Sequence, residues 1–206
     1  PDFVLRNDFQ TDWQGYSVLN LSPQLSLLSP SKLTSLHDFT ALSFDGVDDY
    51  VDCGDDATIS SFSNNFSVEA WVFATGYGGI IYRGGKDNAP CNHLLQVYDD
   101  ENFRVRLWSN SVGTNFFVPE NIQNNWHHIA YTYDGSWVKI YLDGEIKNET
   151  PYTSDIDTGQ HTFIGQYPGG GPRYFDGLIT EVRIWNVART AQQIADWKDR
   201  TLSGDE

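Results

Sequence analysis

The segment FDGLITEVRIWNVARTAQQIADW, residues 175–197, decides the fold of this chain. It predicts a turn at Asp176-Gly177, followed by a strand with two alternating faces: Leu178, Thr180, Val182 and Ile184 on one, and Ile179, Glu181, Arg183 and Trp185 on the other. Thr190 and Gln193 have the spacing of a helical capping box, so a short amphipathic helix follows. A strand that leads straight into a terminal helix indicates that the fold is completed here.

Short segments rich in β-branched and aromatic residues recur upstream, separated by turn residues. Phe66 to Ala74 alternates in the manner of a strand, and Val138 to Leu142 runs into Asp143-Gly144, a strong hairpin signal. Strands do not alternate with helices, which argues against a parallel nucleotide-binding sheet. The sequence therefore predicts an all-β fold, a two-sheet antiparallel jelly-roll sandwich with a short C-terminal helix.

The length and composition fit one large domain. The chain has 206 residues, of which 39% are hydrophobic and 15% aromatic, enough for a substantial core. Residues 41–206 carry the strand pattern. Residues 1–40 lack clear alternation and are predicted to be an irregular lead-in that packs on the domain or links it to a preceding module, with one strand near Tyr16 to Leu21.

Charge and cysteine content narrow the function classes. A net charge of -15 disfavours nucleic acid as a partner, because the phosphate backbone would be repelled. The apolar runs are too short to span a bilayer, so no membrane insertion is expected.

Cys53 and Cys91 are the only cysteines; one disulfide and two buried thiols both remain open. We expect an extracellular or cell-surface location.

Five segments together resemble a known family. They are ALSFDGVDDYVDCG (41–54), FSVEAWVFA (66–74), WHHIAYTYDGSWVKIYLDGE (126–145), TFIGQ (162–166) and FDGLITEVRIWNVARTAQQI (175–194). In this order they look like a laminin-G-like, concanavalin A-type jelly roll of the LamG/pentraxin-like branch, over about residues 41–197. The resemblance implies two curved antiparallel sheets and a binding function towards glycans, proteins or matrix.

The residues needed for catalysis are not found in the sequence. Hydrolases of this fold carry a Glu-x-Asp-x-(x)-Glu run, because a retaining glycosidase needs two carboxylates about 5 Å apart. Here Glu69 and Glu181 each stand alone on their strands, and no nucleophile elbow, phosphate-binding loop or metalloprotease motif is present. We therefore predict that the chain is not an enzyme.

Calcium is the cofactor that the resemblance implies, in either of two places. The loop after Arg83 carries Asp87-Asn88 where pentraxins place a calcium-binding Asp-Asn pair, but in the partner loop Gln166 alone remains of the acidic run. Related sandwiches often hold one calcium between their first and last strands. The residues here would be Asp45, Asp48, Asp49 and Asp176, with a carbonyl from Thr180 where relatives have Asp. Ordinary Asp-Gly turn chemistry is the alternative.

Exposed aromatic and planar polar side chains point to a glycan site. On the predicted strand Phe103 to Trp108, the side chains of Arg104, Arg106 and Trp108 share one face. The remaining candidate ligand-binding residues lie on rim loops, where jelly rolls tolerate variation: Tyr77, Arg83, Asp87, Asn88, Gln166, Tyr167, Arg173 and Tyr174. We predict a non-catalytic, lectin-like module for a glycan or polysaccharide. The alternative is a protein-interaction or adhesion domain, and the third hypothesis is an enzyme with an unrecognised site.

Overall fold

The computed structural model describes residues 3–6, 18–20, 40–85, 91–168, 173–200 and 202. The strands formed by these residues are, in chain order, β1 (Phe3–Arg6), β2 (Val18–Asn20), β3 (Thr40–Asp45), β4 (Val51–Asp52), β5 (Phe66–Ala74), β6 (Gly78–Gly84), β7 (Cys91–Val97), β8 (Phe103–Ser109), β9 (Val112–Val118), β10 (Trp126–Tyr133), β11 (Trp137–Leu142), β12 (Glu145–Pro151), β13 (Thr162–Ile164), β14 (Gln166–Tyr167), β15 (Arg173–Tyr174) and β16 (Asp176–Trp185). The helices are α1 (Ala57–Ser60) and α2 (Ala191–Trp197). Across these described ranges, no helix combines the length and hydropathy needed to cross a bilayer.

Two antiparallel sheets pack face to face around one apolar core. The larger sheet has the order β12-β11-β10-β5-β16-β3-β2, and β1 also pairs with β16. The smaller sheet has the order β4-β13-β6-β7-β8-β9. Strands β14 and β15 form a separate two-stranded ribbon. The predicted two-sheet antiparallel jelly-roll sandwich with a short C-terminal helix is confirmed.

Alternation along each strand decides which side chains reach the core. In β8, Phe103, Val105 and Leu107 are fully buried between the sheets. Arg104 and the other even-numbered residues of this strand therefore face outward, as predicted. The outer face of the smaller sheet is the surface on which the functional candidates lie.

The N-terminal segment contributes strands to the larger sheet. β2 pairs with β3 and corresponds to the strand predicted near Tyr16 to Leu21, while β1 pairs with the end of β16. The sequence analysis missed β9, because Gly113 and Asn115 in its sequence VGTNFFV are residues that strands disfavour.

The start of strand β16 differs from the turn predicted at Asp176-Gly177. Asp176 and Gly177 do not form a turn; they are the first residues of β16 and pair with Asp45 and Phe44 of β3. The pairing with β3 explains why no turn forms. The backbone N–H and C=O groups that would hydrogen-bond within an isolated Asp-Gly turn instead bond the neighbouring strand.

A β-bulge in β16 also overturns the predicted alternation. The bulge lies between Thr180 and Arg183, and Glu181 within it has a φ of 49°. The extra residue shifts the pattern by one, so Ile179 faces the core together with Val182 and Ile184. Arg183 consequently faces outward, where it meets the C-terminal helix.

Helix α2 begins at the predicted capping box. The N–H of Gln193 donates to Oγ1 of Thr190 at 3.2 Å, and the N–H of Thr190 donates to Oε1 of Gln193 at 2.9 Å. The buried Ile194 packs on Ala130 and Tyr141 of the larger sheet. The helix therefore covers part of that sheet's outer face.

A buried ionic cluster lies beside this helix and is called the Glu69 cluster: Glu69, His128, Arg183 and Trp185. The indole N–H of Trp185 donates to Glu69 at 2.9 Å, and a guanidinium nitrogen of Arg183 lies 3.5 Å from the same oxygen. His128 Nε2 lies 3.3 Å from the other carboxylate oxygen, without hydrogen-bond geometry. Arg183 also donates to the carbonyls of Trp197 and Arg200. The cluster thereby ties the C-terminal segment to the sheet.

The carboxylate of Glu69 is held in its ionised form. Burial alone would raise the pKa of Glu69, but His128, Arg183 and Trp185 outweigh burial and lower this pKa to about 2. Its side chain is wholly buried, so it reaches no substrate from this position.

Of the two alternatives for Cys53 and Cys91, the disulfide is not formed in this structure. Cys53 follows β4 and packs towards the core, whereas Cys91 opens β7 and packs on the opposite face of the smaller sheet. Strands β13 and β6 lie between them, a separation of roughly 14 Å at the usual strand spacing. Two cysteines can be bridged only when their Cα atoms lie within about 7 Å. The Sγ of Cys91 accepts a hydrogen bond from the Tyr82 hydroxyl at 3.1 Å instead.

Candidate functional site

An open cleft of about 710 Å³ lies where β3, β6, β15 and β16 meet the turn between β7 and β8. We call it the tyrosine cleft. Its lining residues come from four separate segments and combine aromatic, acidic and amide side chains: Asp45, Gly46, Gly76, Tyr77, Gly78, Gln96, Tyr98, Asp99, Arg173, Tyr174 and Asp176.

The aromatic wall of this cleft is held by neighbouring contacts. Tyr77 is 47% exposed, and its hydroxyl donates to Asp100 at 2.5 Å, which raises the pKa of Tyr77. Tyr98 is 37% exposed and packs edge-on against Phe117, with ring centroids 5.4 Å apart. Tyr174 is partly buried and packs 6.4 Å from the Tyr50 ring. Each ring thus offers surface to a ligand while its position is fixed.

One glycine allows the ribbon to close on the sheet. Gly78 begins β6 with a φ of 135°, and a Cβ at this position would lie 2.3 Å from the carbonyl oxygen of Tyr174. Because any side chain would collide with that backbone, Gly78 permits the contact that brings Arg173 and Tyr174 to the cleft.

Arg104 supports the cleft from beneath. Its guanidinium donates to Oε1 of Gln96 at 2.9 and 3.1 Å and to Oδ1 of Asn115 at 3.1 Å. It also lies 4.1 Å from the centre of the Tyr98 ring. Burial lowers the pKa of Arg104, and the positive charges of Arg106 and Arg173 lower it further.

An acidic corner, formed by Asp45, Asp48 and Asp49, adjoins the cleft. Carboxylate oxygens of these three residues lie within 4.8 Å of one another. Burial, and then repulsion by Asp45, raises the pKa of Asp49. Oxygens at this spacing suit a hard cation such as calcium.

The other two predicted metal ligands are placed differently. Asp176 pairs directly with Asp45 across the strands, but its Oδ1 accepts from the Thr75 hydroxyl at 2.7 Å and its carboxylate is not part of the three-residue group. Thr180 lies four residues further along β16, roughly 13 Å from Asp176 at the usual rise per residue, and pairs with Trp71. Including Thr180 in the metal site was therefore wrong.

Several predicted ligand-binding side chains prove to be packing residues. Tyr82 packs on the outer side of the smaller sheet, so the next residue of the strand, Arg83, faces the core. Arg83 donates to the carbonyls of Ile59, Phe62 and Asp157. Burial lowers its pKa to about 10.

The side chains of Trp108, Gln166 and Tyr167 are also buried, and Trp108, at 5% exposure, packs with Tyr167 in a second apolar cluster. That cluster is covered by the ribbon, so Trp108 offers little surface to a sugar. Asp87 and Asn88 lie outside the described residues. Of the predicted set, Tyr77, Arg173 and Tyr174 line the cleft, whereas Arg104 and Arg106 lie beside it on the sheet.

The sequence analysis missed Gln96, Tyr98 and Asp99. Gln96 shares the outer face with Arg104, to which it is the cross-strand partner, and Tyr98 and Asp99 enter the turn that follows β7. The register of the hairpin from Leu94 to Trp108 was the signal that could have found Gln96, because opposite residues of paired strands share a face.

A second cleft of similar volume lies at the other end of β8. It is lined by Ser63, Ser109, Asn110, Ser111, Ser154, Asp155, Ile156, Asp157 and Thr158. Among these lining residues there is no aromatic ring and no cationic group, so the tyrosine cleft is the better candidate for a ligand.

A laminin G family model, described as the concanavalin A-like lectin/glucanases superfamily, matches residues 45–195. The chain belongs to this superfamily. The match includes every strand from β4 to β16, so the laminin-G-like resemblance of the sequence is confirmed for the part that builds the sandwich.

Solved structures share the fold of this concanavalin A-like chain. Domain 4 of AbnA, a GH43 extracellular arabinanase from Geobacillus stearothermophilus solved with arabinotriose, is 19% identical, with a TM-score of 0.64 over 93% of this chain and 84% of that one. A heptameric SAP-like pentraxin from Limulus polyphemus is 18% identical, with a TM-score of 0.54 over 74% and 78%. The binding domain of botulinum neurotoxin serotype G is 14% identical, with a TM-score of 0.61 over 79% and 43%.

Proposed function

We propose that this chain is a non-catalytic glycan-binding module of an extracellular or cell-surface protein, and that the tyrosine cleft is its binding site. The observation that carries the proposal is the gathering of Tyr77, Tyr98 and Tyr174 in one open cleft beside Gln96 and Arg173. Sugar rings present apolar C–H faces that pack on aromatic rings, while amide and guanidinium groups bond their hydroxyls.

The fold and the placement of carboxylates support a binding role. This chain shares its jelly-roll fold with an arabinanase domain that was solved with arabinotriose. Arabino-oligosaccharides therefore belong in the first panel of ligands. Glu69, the carboxylate that stood out on β5, is buried and ion-paired, which leaves it unable to protonate a glycosidic oxygen.

Removing either exposed tyrosine is expected to weaken glycan binding roughly tenfold or more, because aromatic anchors carry a large share of binding energy. The variants are Tyr77→Ala and Tyr98→Ala. The measurement is calorimetric titration with the oligosaccharides that bind the wild-type chain on a glycan panel.

Trp137→Ala is the matched control. Trp137 is an aromatic residue of similar exposure, 40%, but it lies on β11 of the larger sheet, outside the cleft. Equal losses in all three variants would place the site elsewhere. Failure of every glycan to bind the folded protein would overturn the glycan proposal in favour of a protein partner.

We further propose calcium as the ion of the acidic corner. Asp45, Asp48 and Asp49 would hold it, with carboxylate oxygens that already lie close enough to repel one another. A bound Ca²⁺ would supply the positive charge that relieves this repulsion and would fasten the turn after β3.

Adding calcium at about a hundredfold above its dissociation constant is expected to raise the melting temperature by roughly 5 to 10 °C, because an ion that binds the folded state alone stabilises it by about 2.7 kcal/mol. Differential scanning calorimetry with calcium and with EDTA measures the shift. Asp48→Asn should reduce it. The same melting temperature in both buffers would contradict the proposal.

A further inference from the structure

Three arginines occupy the outer face of the smaller sheet and the adjoining ribbon: Arg104, Arg106 and Arg173. The chain carries 28 acidic and 13 basic residues, so cations have many carboxylates to pair with. Lys139, Lys147 and Arg183 do pair with them. For the three outer-face arginines, however, no ion pair with a carboxylate is found in the part of the chain that the structure describes.

Arg104 orients the side-chain amides of Gln96 and Asn115 so that their NH₂ groups can donate to a ligand. Its side chain is 5% exposed and uses the oxygen atoms of Gln96 and Asn115 as acceptors. Because a guanidinium can only donate, both amide oxygens must face it, and the NH₂ groups of Gln96 and Asn115 are left for another acceptor. Asn115 is the cross-strand partner of Arg106 and is exposed, so its NH₂ group lies beside the second arginine.

Arg106 lies over Trp108 and has a buried, unsatisfied donor at Nε. Its guanidinium lies 4.6 Å from the centre of the Trp108 ring, and its Nε is buried without a hydrogen-bond partner among the described residues. Gly113 makes room for this arrangement, since a Cβ there would lie 2.4 Å from Nε. Nε itself is covered, but the two terminal nitrogens of Arg106 make no hydrogen bond to the described residues, so an incoming anion would supply their acceptor.

We propose that Arg104, Arg106 and Asn115 bind the anionic group, a carboxylate or a sulfate, of an acidic glycan whose neighbouring sugar rings occupy the tyrosine cleft. The inference rests on the proposed glycan-binding function and specifies its ligand class. Gln96 connects the two surfaces, because it lines the cleft and accepts from Arg104. Arg173 adds a third cation at the cleft.

The chemistry favours an anion over a neutral hydroxyl. The site offers only N–H donors, and planar guanidinium groups bind carboxylate and sulfate oxygens through two parallel hydrogen bonds. A neutral hydroxyl would leave most of these donors unused. The net charge of -15 disfavours long polyanions such as nucleic acid at a distance, but it is screened beyond about 8 Å at physiological salt.

The test compares one oligosaccharide with and without its charge. Oligogalacturonate and its methyl ester are titrated into the full chain by calorimetry, with a heparin-derived sulfated oligosaccharide as a second acidic ligand and inorganic sulfate as a free anion. We expect the acidic form to bind on the order of tenfold or more tightly than the ester, since hydrogen bonds to charged groups contribute at this level. The two acidic ligands distinguish a carboxylate site from a sulfate site.

Arg106→Gln should abolish the preference for the acidic ligand, by weakening the binding of the acid far more than the binding of the ester. Arg106→Lys should retain part of the preference for the acidic ligand, because lysine keeps the positive charge but lacks the planar guanidinium group. Gly113→Ala, checked for folding by its melting temperature, should act like Arg106→Gln by displacing the guanidinium. Lys147→Gln makes the same change in net charge on β12 and should have no effect.

Equal binding of acid and ester would overturn this inference and leave the glycan-binding function standing. A preference for acid that survives Arg106→Gln, or equally tight binding of inorganic sulfate, would also overturn it. Absence of binding by every oligosaccharide would remove both the inference and the function on which it rests.

Discussion

Glu69→Gln is expected to destabilise the protein by about 3–5 kcal/mol, because removing one partner of a buried ion pair leaves the other charge uncompensated. Glu69 and Arg183 are both almost fully buried, and His128 lies 3.3 Å from Glu69 on its other side. The substitution keeps the shape of the side chain and removes its charge. Denaturant unfolding followed by tryptophan fluorescence measures the change.

Glu149→Gln is the control for this variant. Glu149 also pairs with a cation, Lys139 at 2.9 Å, but both side chains are substantially exposed. Exposed pairs contribute about 0 to 1 kcal/mol. If the two glutamine variants lose the same stability, the Glu69 cluster does not anchor the C-terminal segment.

The stability contributed by Glu69 should also depend on pH in a defined direction. Its pKa in the folded protein is about 2, below the ordinary value of 4.5. The folded state therefore binds this proton less readily than the unfolded state does. The stabilisation is fully present above about pH 4.5 and is lost as the pH falls towards 2, an amount of about 3 kcal/mol. The Glu69→Gln variant should lack this part of the acid dependence.

Gly78→Ala is expected to destabilise the protein by about 3 kcal/mol or more and to weaken glycan binding at the same time. The new Cβ would lie 2.3 Å from the carbonyl oxygen of Tyr174 and 2.5 Å from Cα of Phe175. Backbone atoms cannot move aside as a side chain can, so β6 and β15 must separate. Because Tyr174 lines the cleft, the same displacement disturbs the binding surface.

Gly54→Ala separates this collision from the general effect of alanine at a positive φ. Gly54 has a φ of 76°, and a Cβ there meets nothing within 4 Å. The expected loss is about 1 kcal/mol. The two variants are compared by thermal unfolding and by titration with a glycan that binds the wild-type chain. A Gly78→Ala protein that binds as the wild type does would show that the ribbon contact does not position the site.

Much of the fold could be predicted because its signals are local. The alternation of Phe66 to Ala74 predicts β5, Asp143-Gly144 predicts the hairpin between β11 and β12, and Thr190 with Gln193 predicts the start of α2. Each signal involves residues a few positions apart, and each reflects backbone preferences that hold wherever the segment lies.

The bulge in β16 marks the limit of these local signals. An unbroken alternation predicted Arg183 and Ile179 on one face, but the extra residue at Glu181 separates them and turns Arg183 towards Glu69. The advantage of the bulge is visible only when β5 and α2 are both in place, because Arg183 contacts the Glu69 carboxylate of β5 and donates to the Trp197 carbonyl of α2.

The sequence by itself determined the sandwich, the hairpin turn at Asp143-Gly144 and the residue types that a ligand would meet. The tertiary structure alone decided which of those residues work together. Arg83 and Trp108 were candidates by composition, yet pairing order buries both, whereas Tyr98 and Tyr174 meet in one cleft from distant parts of the chain. The physical reason is that side-chain periodicity specifies a face of a strand, while the neighbours of that face depend on sheet order, register and bulges set by long-range contacts.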